Sequence, residues 1–331
     1  MSERVVELEV LRYNPETDQA PHFQRYSVPC REEWVVLDAL NHVKESIDPT
    51  LSYRWSCHMA VCGSCGMMIN GEPKLACKSF LRDYQGVVRV ELEVLRYNPE
   101  TDTAPHFQRY AVSCREEWVV LDALNHVKET VDPTLAYRWS CHMAVCGSCG
   151  MMINGEPKLA CKSFLRDYPG VIRVEPLAHF PVERDLVTVI DDFIAKLTRV
   201  KPYLIPKEAK PIEAGEYRQT PAQLKRYKQF TLCINCMLCY AACPEYGMIP
   251  KFMGPAAISL AHRWNQDSRD GGRAERQEEI AATEGVWECS FTGACSEVCP
   301  EHVDPAAALQ QVKIKSTIDW YLAHTMPWLK K

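Results

Sequence analysis

The sequence predicts an α+β chain in three parts: a small unit of hairpin, helix and loop, the same unit again, and a largely helical remainder. Three observations predict it. Residues 7–90 recur as residues 91–174 with eight differences, all mild and none at a cysteine. Within each repeat, polar and apolar residues first alternate and then recur at helical spacing. Beyond residue 174 helical stretches separate loops that carry cysteines.

Each repeat opens with "ELEVLRY", whose alternation is that of a half-buried strand, and "NPETD" supplies turn chemistry before a second strand around His22 to Val28. "EEWVVLDALNHVKESI" follows, placing Val36, Leu40, Val43 and Ile47 at the spacing of one helix face that packs on the sheet. A glycine-containing cysteine loop comes next, then short strands at "GMMING" and "GVVRV". The seam is tight. In "VVRVELEVLRY" the residues that should close the first repeat also open the second, with no linker between them. After residue 174, "FPVERDLVTVIDDFIAKLTRV" reads as a helix with Val189, Phe193, Leu197 and Val200 on one face. Pro202, Pro206, Pro211 and Pro221 punctuate a linker, and "GPAAISLAHRW" and "DPAAALQQVKIKSTIDWYLA" read as helices. The expected domains are residues 1–90, 91–188 and 189–331.

At 331 residues and a formal charge of -5, the chain is long enough for two or three domains, and its charge gives no reason to expect a nucleic-acid partner. No apolar run approaches the roughly 18 residues of a membrane span. "MSERVVELEV" lacks the pattern of a signal peptide, so the chain is expected to stay in the cytoplasm. Seventeen cysteines are the outlier of the composition, and in a reducing compartment metal ligation is a better expectation than disulfides.

Cys57, Cys62, Cys65 and Cys77, and their echoes Cys141, Cys146, Cys149 and Cys161, follow C-x4-C-x2-C-x11-C, the plant-type rhythm of a 2Fe-2S ferredoxin cluster. The rival is a structural zinc site, but zinc ribbons pair two C-x2-C knuckles, whereas here three cysteines crowd one loop with Gly63 and Gly66. Small residues there let backbone N–H groups approach the sulfurs. Cys233, Cys236, Cys239 and Cys243 before Pro244 form the bacterial run C-x2-C-x2-C-x3-C-P, whose fourth cysteine serves the other cluster of a pair. The second run, Cys289, Cys295 and Cys299 before Pro300, has Thr292 in one ligand slot. Crossing the fourth cysteines assigns Cys233, Cys236, Cys239 and Cys299 to a 4Fe-4S cluster and leaves Cys243, Cys289 and Cys295 for a 3Fe-4S cluster. A 4Fe-4S centre with a hydroxyl or water on one iron is the other reading of the latter site. Cys30 and Cys114, without mates nearby, read as small buried side chains. His58 and His142, each next to a ligand cysteine, read as solvated loop residues or as tuners of the cluster.

Residues 91–325 closely resemble the iron–sulfur subunits of fumarate reductase and succinate dehydrogenase. The resemblance rests on "RWSCHMAVCGSCGMMI", "PKLACKSFLRDY", "FPVERDL", "CINCMLCYAACPEYG", "GPAAISLAHR", "NQDSRD" and "CSEVCPEHVDPAAALQQ". Only the extra 84-residue unit departs from that family. The resemblance implies a β-grasp fold for each repeat and an α-helical ferredoxin fold for the remainder. It implies as partners an FAD-containing flavoprotein subunit, where fumarate and succinate interconvert, and membrane anchor subunits that bind a quinone such as menaquinone. It also places this chain as a peripheral protein on the cytoplasmic face of the inner membrane.

The residues agree with that division, because no G-x-G-x-x-G follows a strand and no acid–base constellation is evident. Gln310 and Lys313, three apart on the last helix, would by the resemblance approach the quinone headgroup. The "QQVK" register leans towards fumarate reductases. Trp320, Tyr321 and Trp328 suit either the anchor interface or a packed terminal helix. Three other readings remain at this point: a succinate dehydrogenase subunit passing electrons in the opposite direction, a free-standing polyferredoxin carrier and a zinc-stabilised scaffold. The first repeat is expected to be a dispensable appendage, with the second conducting because its tether matches the family's.

Overall fold

The computed structural model describes residues 5–29, 31, 33–70, 72–84, 88–115 and 117–325. The chain divides into two compact units, Met1–Val88 with Ser113–Glu116, and Arg89–Val112 with Glu117–Lys331.

In the first unit the alternating segments form β1 (Val5–Arg12) and β2 (His22–Pro29), paired antiparallel from Val5↔Pro29 to Arg12↔His22. Helix α1 (Val36–His42) begins where the Asp38 carboxylate accepts the Val35 N–H at 2.9 Å, fixing the first turn. It buries Val36, Leu37, Ala39 and Leu40. The helical period does not run on to Ile47 as expected: Val43–Ile47 widens into an i→i+5 turn, which leaves Val43 buried but Ile47 47 % exposed. A second hairpin joins β3 (Gly66–Ile69) to β4 (Glu72–Leu75).

In the second unit the same sequence does more. Strands β5 (Val88–Arg96), β6 (His106–Cys114), β7 (Gly150–Ile153), β8 (Glu156–Leu159) and β9 (Ile172–Glu175) form one sheet in the order β6-β5-β9-β7-β8. Its centre is the parallel pair β5–β9, Leu92 opposite Ile172. Helix α2 (Val120–His126) buries Val120, Leu121, Ala123 and Leu124, and Val127 follows it into the core.

The seam is resolved in favour of the second repeat. Arg89, Val90 and Glu91 were expected to close the first repeat; with Val88 they are the equivalents of β9, and instead they form the start of β5. A strand has two edges, and both edges of β5 are taken by β6 and β9. Among the described residues β1–β2 and β3–β4 therefore remain separate two-stranded ladders.

The expected helix over "FPVERDLVTVIDDFIAKLTRV" is half right. Its first part is a hairpin of β10 (Val182–Arg184) and β11 (Val187–Thr188), turned by Asp185 at φ 48°, and only α3 (Asp191–Arg199) is helical. Val189 thus precedes the helix, while Phe193, Leu197 and Val200 are buried. The remainder is helical as read: α4 (Pro221–Lys225), α5 (Leu238–Ala241), α6 (Pro244–Met248), α7 (Pro255–Asn265), α8 (Arg273–Ile280), α9 (Ala294–Glu297) and α10 (Pro305–Thr325). Proline occupies the first turn of α4, α6 and α7, where its missing N–H costs no hydrogen bond. Helices α7 and α10 pack together, burying Ala256, Ala257, Ala308, Leu309 and Val312. No helix among the described residues is long and apolar enough to cross a membrane.

Candidate iron–sulfur centres

Each cysteine loop is bent by residues at positive φ. His58, Ala60 and Gly63 adopt it in the first repeat and His142, Ala144 and Gly147 in the second. That bend turns backbone N–H groups inward. In the first repeat Met59 and Cys62 donate to Cys57 Sγ at 3.4 Å, and Ala60 donates to Cys77 Sγ at 3.3 Å. In the second, Met143, Val145 and Cys146 donate to Cys141 Sγ, and Ala144 donates to Cys161 Sγ. Such a cradle suits thiolates bearing negative charge. Cys65 and Cys77 bring their sulfurs to 3.1 Å, and Cys149 and Cys161 to 3.2 Å.

Serines of the loop, which the spacing argument passed over, complete the cradle. Hydrogen bonds from Ser64 and backbone N–H groups pull the exposed Cys62 thiol down to about 6, and Ser148 does the same for Cys146. His58 and His142 are neither free in solvent nor aimed at sulfur. Their Nε2 atoms lie 3.3 and 3.1 Å from Asp38 and Asp122, the residues that start α1 and α2, so each tethers its loop to the helix. Cys114 is buried, which pushes its thiol up; Cys30 and Trp328 lie outside the described residues.

In the helical part, Asn235 and Met237 at positive φ shape the first loop and Phe291 and Gly293 the second. Cys233, Cys236, Cys239 and Cys299 line one cavity. Cys243, Cys289 and Cys295 line another, with Thr292 between the last two. Burial pushes the Cys236 and Cys295 thiols up to about 12, and raises Cys233, Cys239 and Cys243 as well. These sulfurs stay protonated unless iron takes the proton's place, so assembly there would release protons. The thiols of each set line a cavity, an arrangement that fits a multi-iron cluster.

The two repeats differ in their surroundings. A Cβ on Gly147 would come within 2.8 Å of Cys236 Cα and Cβ, and one on Gly150 within 3.0 Å of the Cys236 carbonyl oxygen. The second repeat's loop thus lies directly against the cavity of Cys236. Lys162 Nζ adds a bond of 3.2 Å to the carbonyl of Pro300. Within the first unit a Cβ on Gly63 would meet nothing within 4 Å.

Of the two residues singled out beside the last cysteine, Lys313 Nζ donates to the Cys289 carbonyl at 2.5 Å, while Gln310 is exposed. Trp320 and Tyr321 are exposed on α10. An ionic hub escaped the sequence reading because its partners are far apart in the chain. In the second repeat Arg96 bonds to Asp132, Tyr110, Thr134 and, at 3.0 Å, to the buried Asp185. Asp185 in turn accepts from the Tyr97 and Ala136 N–H groups. The first repeat repeats Arg12, Asp48, Tyr26 and Thr50 but has no counterpart of Asp185.

The 2Fe-2S iron-sulfur cluster binding domain family matches twice, over residues 7–92 and 91–195, and the 4Fe-4S dicluster domain family matches residues 229–303. The fumarate reductase iron-sulfur subunit of Haemophilus influenzae is 52% identical over 248 residues, covering 72% of this chain and 97% of that protein. The succinate dehydrogenase iron-sulfur subunit of Coxiella burnetii is 36% identical over 66% of this chain and 94% of its own length. Among solved structures, a chain of the Mycobacterium smegmatis Sdh1 complex in the apo form superposes with a TM-score of 0.65 at 31% identity, over 71% of this chain and 98% of that one. Relatives are thus matched almost end to end by less than three quarters of this chain, and two abutting 2Fe-2S domains account for the excess. With its cysteine loops, crossed cavities and these matches taken together, the chain belongs to the family of fumarate reductase and succinate dehydrogenase iron–sulfur subunits, extended by a second 2Fe-2S domain.

Proposed function

We propose that this chain is the electron-carrying subunit of a membrane-associated fumarate reductase, linking a quinol, with menaquinol expected, to a flavoprotein subunit that reduces fumarate to succinate. Fifty-two per cent identity to a fumarate reductase subunit, against 36% to a succinate dehydrogenase subunit, supports that direction. Residues 91–188, read as a β-grasp ferredoxin domain, would hold a 2Fe-2S cluster through Cys141, Cys146, Cys149 and Cys161. In the α-helical domain, residues 189–331, Cys233, Cys236, Cys239 and Cys299 would hold a 4Fe-4S cluster. Cys243, Cys289 and Cys295 would hold a 3Fe-4S cluster, since the hydroxyl of Thr292 is a poor ligand for a fourth iron. Such clusters supply one-electron redox chemistry. The polypeptide's part is to hold the thiolates, aim N–H groups at sulfur and keep water from the two inner cavities. Gln310 and Lys313 on α10 are the candidate donors to a quinone oxygen. Anchor subunits would hold this peripheral chain at the cytoplasmic face of the inner membrane.

The close approach of Gly147 to Cys236 is the observation that carries the reading, because it brings the second repeat's loop next to the helical domain's cysteines. The first repeat, residues 1–90, is then an appendage outside the conducting path. In the complex purified from membranes with its flavoprotein, Cys146→Ser should abolish quinol-dependent fumarate reduction, and Cys62→Ser or deletion of residues 7–90 should leave it near wild type. Loss of activity in Cys62→Ser, with Cys146→Ser unaffected, would overturn the assignment. Purification of the chain free of any flavoprotein would favour a soluble carrier.

A further inference from the structure

The cavity of Cys233, Cys236, Cys239 and Cys299 contains one hydroxyl among its lining side chains, that of Ser259. Ser259 is 1% exposed, sits in the second turn of α7, and shares the face that Ala256 turns to the same cavity. Its Oγ is buried with no hydrogen-bond partner among the described residues. A serine inside a helix ordinarily returns its proton to the carbonyl four residues back, here that of Pro255; this one does not. A buried hydroxyl left unpaired is costly, and so is rare in a folded protein. Apart from the four cysteines, the lining is mostly apolar, with Met237, Val303, Pro300 and Pro305, and its other polar side chains are those of Asn235 and Glu301.

The geometry points to Ser259 as a hydrogen-bond donor to the sulfur of a 4Fe-4S cluster in this cavity, setting its reduction potential. The inference rests on the assignment of the four cysteines to one cluster. One-electron reduction adds one negative charge to the cluster and its thiolates and takes up no proton. An O–H directed at that sulfur stabilises the reduced form more than the oxidised one and so raises the potential. Ser259 touches no substrate, so its effect is electronic.

The test is made on the full complex, with iron content and cluster EPR signals measured first. Redox titration of the 4Fe-4S signal in Ser259→Ala should give a midpoint potential below wild type, with Ser259→Thr, which keeps the hydroxyl, close to wild type. Pulsed EPR of the reduced cluster after exchange into deuterated water should lose one exchangeable coupling in Ser259→Ala and keep it in Ser259→Thr. Ser259→Gly, which also lacks the hydroxyl, serves where the alanine variant assembles poorly. An unchanged potential and unchanged couplings in the hydroxyl-free variants would overturn the hydrogen bond. Wild-type protein with iron but no 4Fe-4S signal would instead overturn the ligand assignment beneath it.

Discussion

Gly147 shows how much one residue can decide. It sits at φ +72°, where an L side chain is strained, and any Cβ would run into the backbone of Cys236. Gly147→Ala should cost the left-handed penalty of about 1 kcal/mol plus an overpacking cost of roughly 1–3 kcal/mol, and should slow electron transfer. Gly63→Ala should cost only the first term. Thermal melts of the two variants make the comparison. His262 makes a different demand. Its ring is buried edge-on to Phe230, its Nε2 has no hydrogen-bond partner among the described residues, and burial, opposed by a hydrogen bond with Gln311, pulls its pKa down to about 4. Because the unfolded histidine titrates near 6.5, the unfolded state binds the extra proton first, and stability falls as pH drops from about 6.5 to about 4. The loss should be on the order of 3 kcal/mol, and His262→Gln should flatten it in denaturant titrations run across that window. The cysteines that line the two cavities were legible because their grouping is written in local spacing. Ser259, Asp185 and His262 were not, because each matters through neighbours distant in sequence.

Elements of identical sequence fare differently in the two repeats. "GMMI" buries Met151 and half-covers Met152 in β7, yet in β3 Met67 is only partly covered and Met68 is 66% exposed, while Ile153 and Ile69 are buried in both. "EPKL" buries Leu159 to 2% in β8 but leaves Leu75 half-buried in β4. Two differences accompany this: β9 joins β5 to β7, whereas among the described residues no strand lies between β1 and β3, and α5 packs on β8 in the second repeat, with Leu238 beside Gly150. Unpaired ladder edges open readily. Amides of β1 and β3 should therefore exchange with solvent faster than those of β5 and β7, by mass spectrometry of matched peptides. Duplicating residues 85–91 behind a short flexible spacer should give the first repeat its own closing strand and slow that exchange; no change would mean the strand was never limiting. The hairpins and the helix were readable from alternation and period. The fate of residues 88–91 was not, because both repeats encode them equally well and only pairing decides.

For the molecule as a whole, loading follows from the same competition. A chain with both repeats filled would carry about 11 irons and one with a single filled repeat about 9, from the cluster types assigned. The open first repeat favours the lower figure, and iron analysis beside acid-labile sulfide reads it directly. What the sequence determined by itself is the α+β class, the duplication, the thiol rhythms and the family, because each is written in intervals of a few residues or in near-identity between segments. Tertiary structure alone decided which repeat receives the contested strand, which loop packs on Cys236, and that the Ser259 side chain is buried in the lining of the cavity of Cys233, Cys236, Cys239 and Cys299. Those outcomes depend on exclusion: one strand has two edges, and one cavity wall admits one backbone at van der Waals distance.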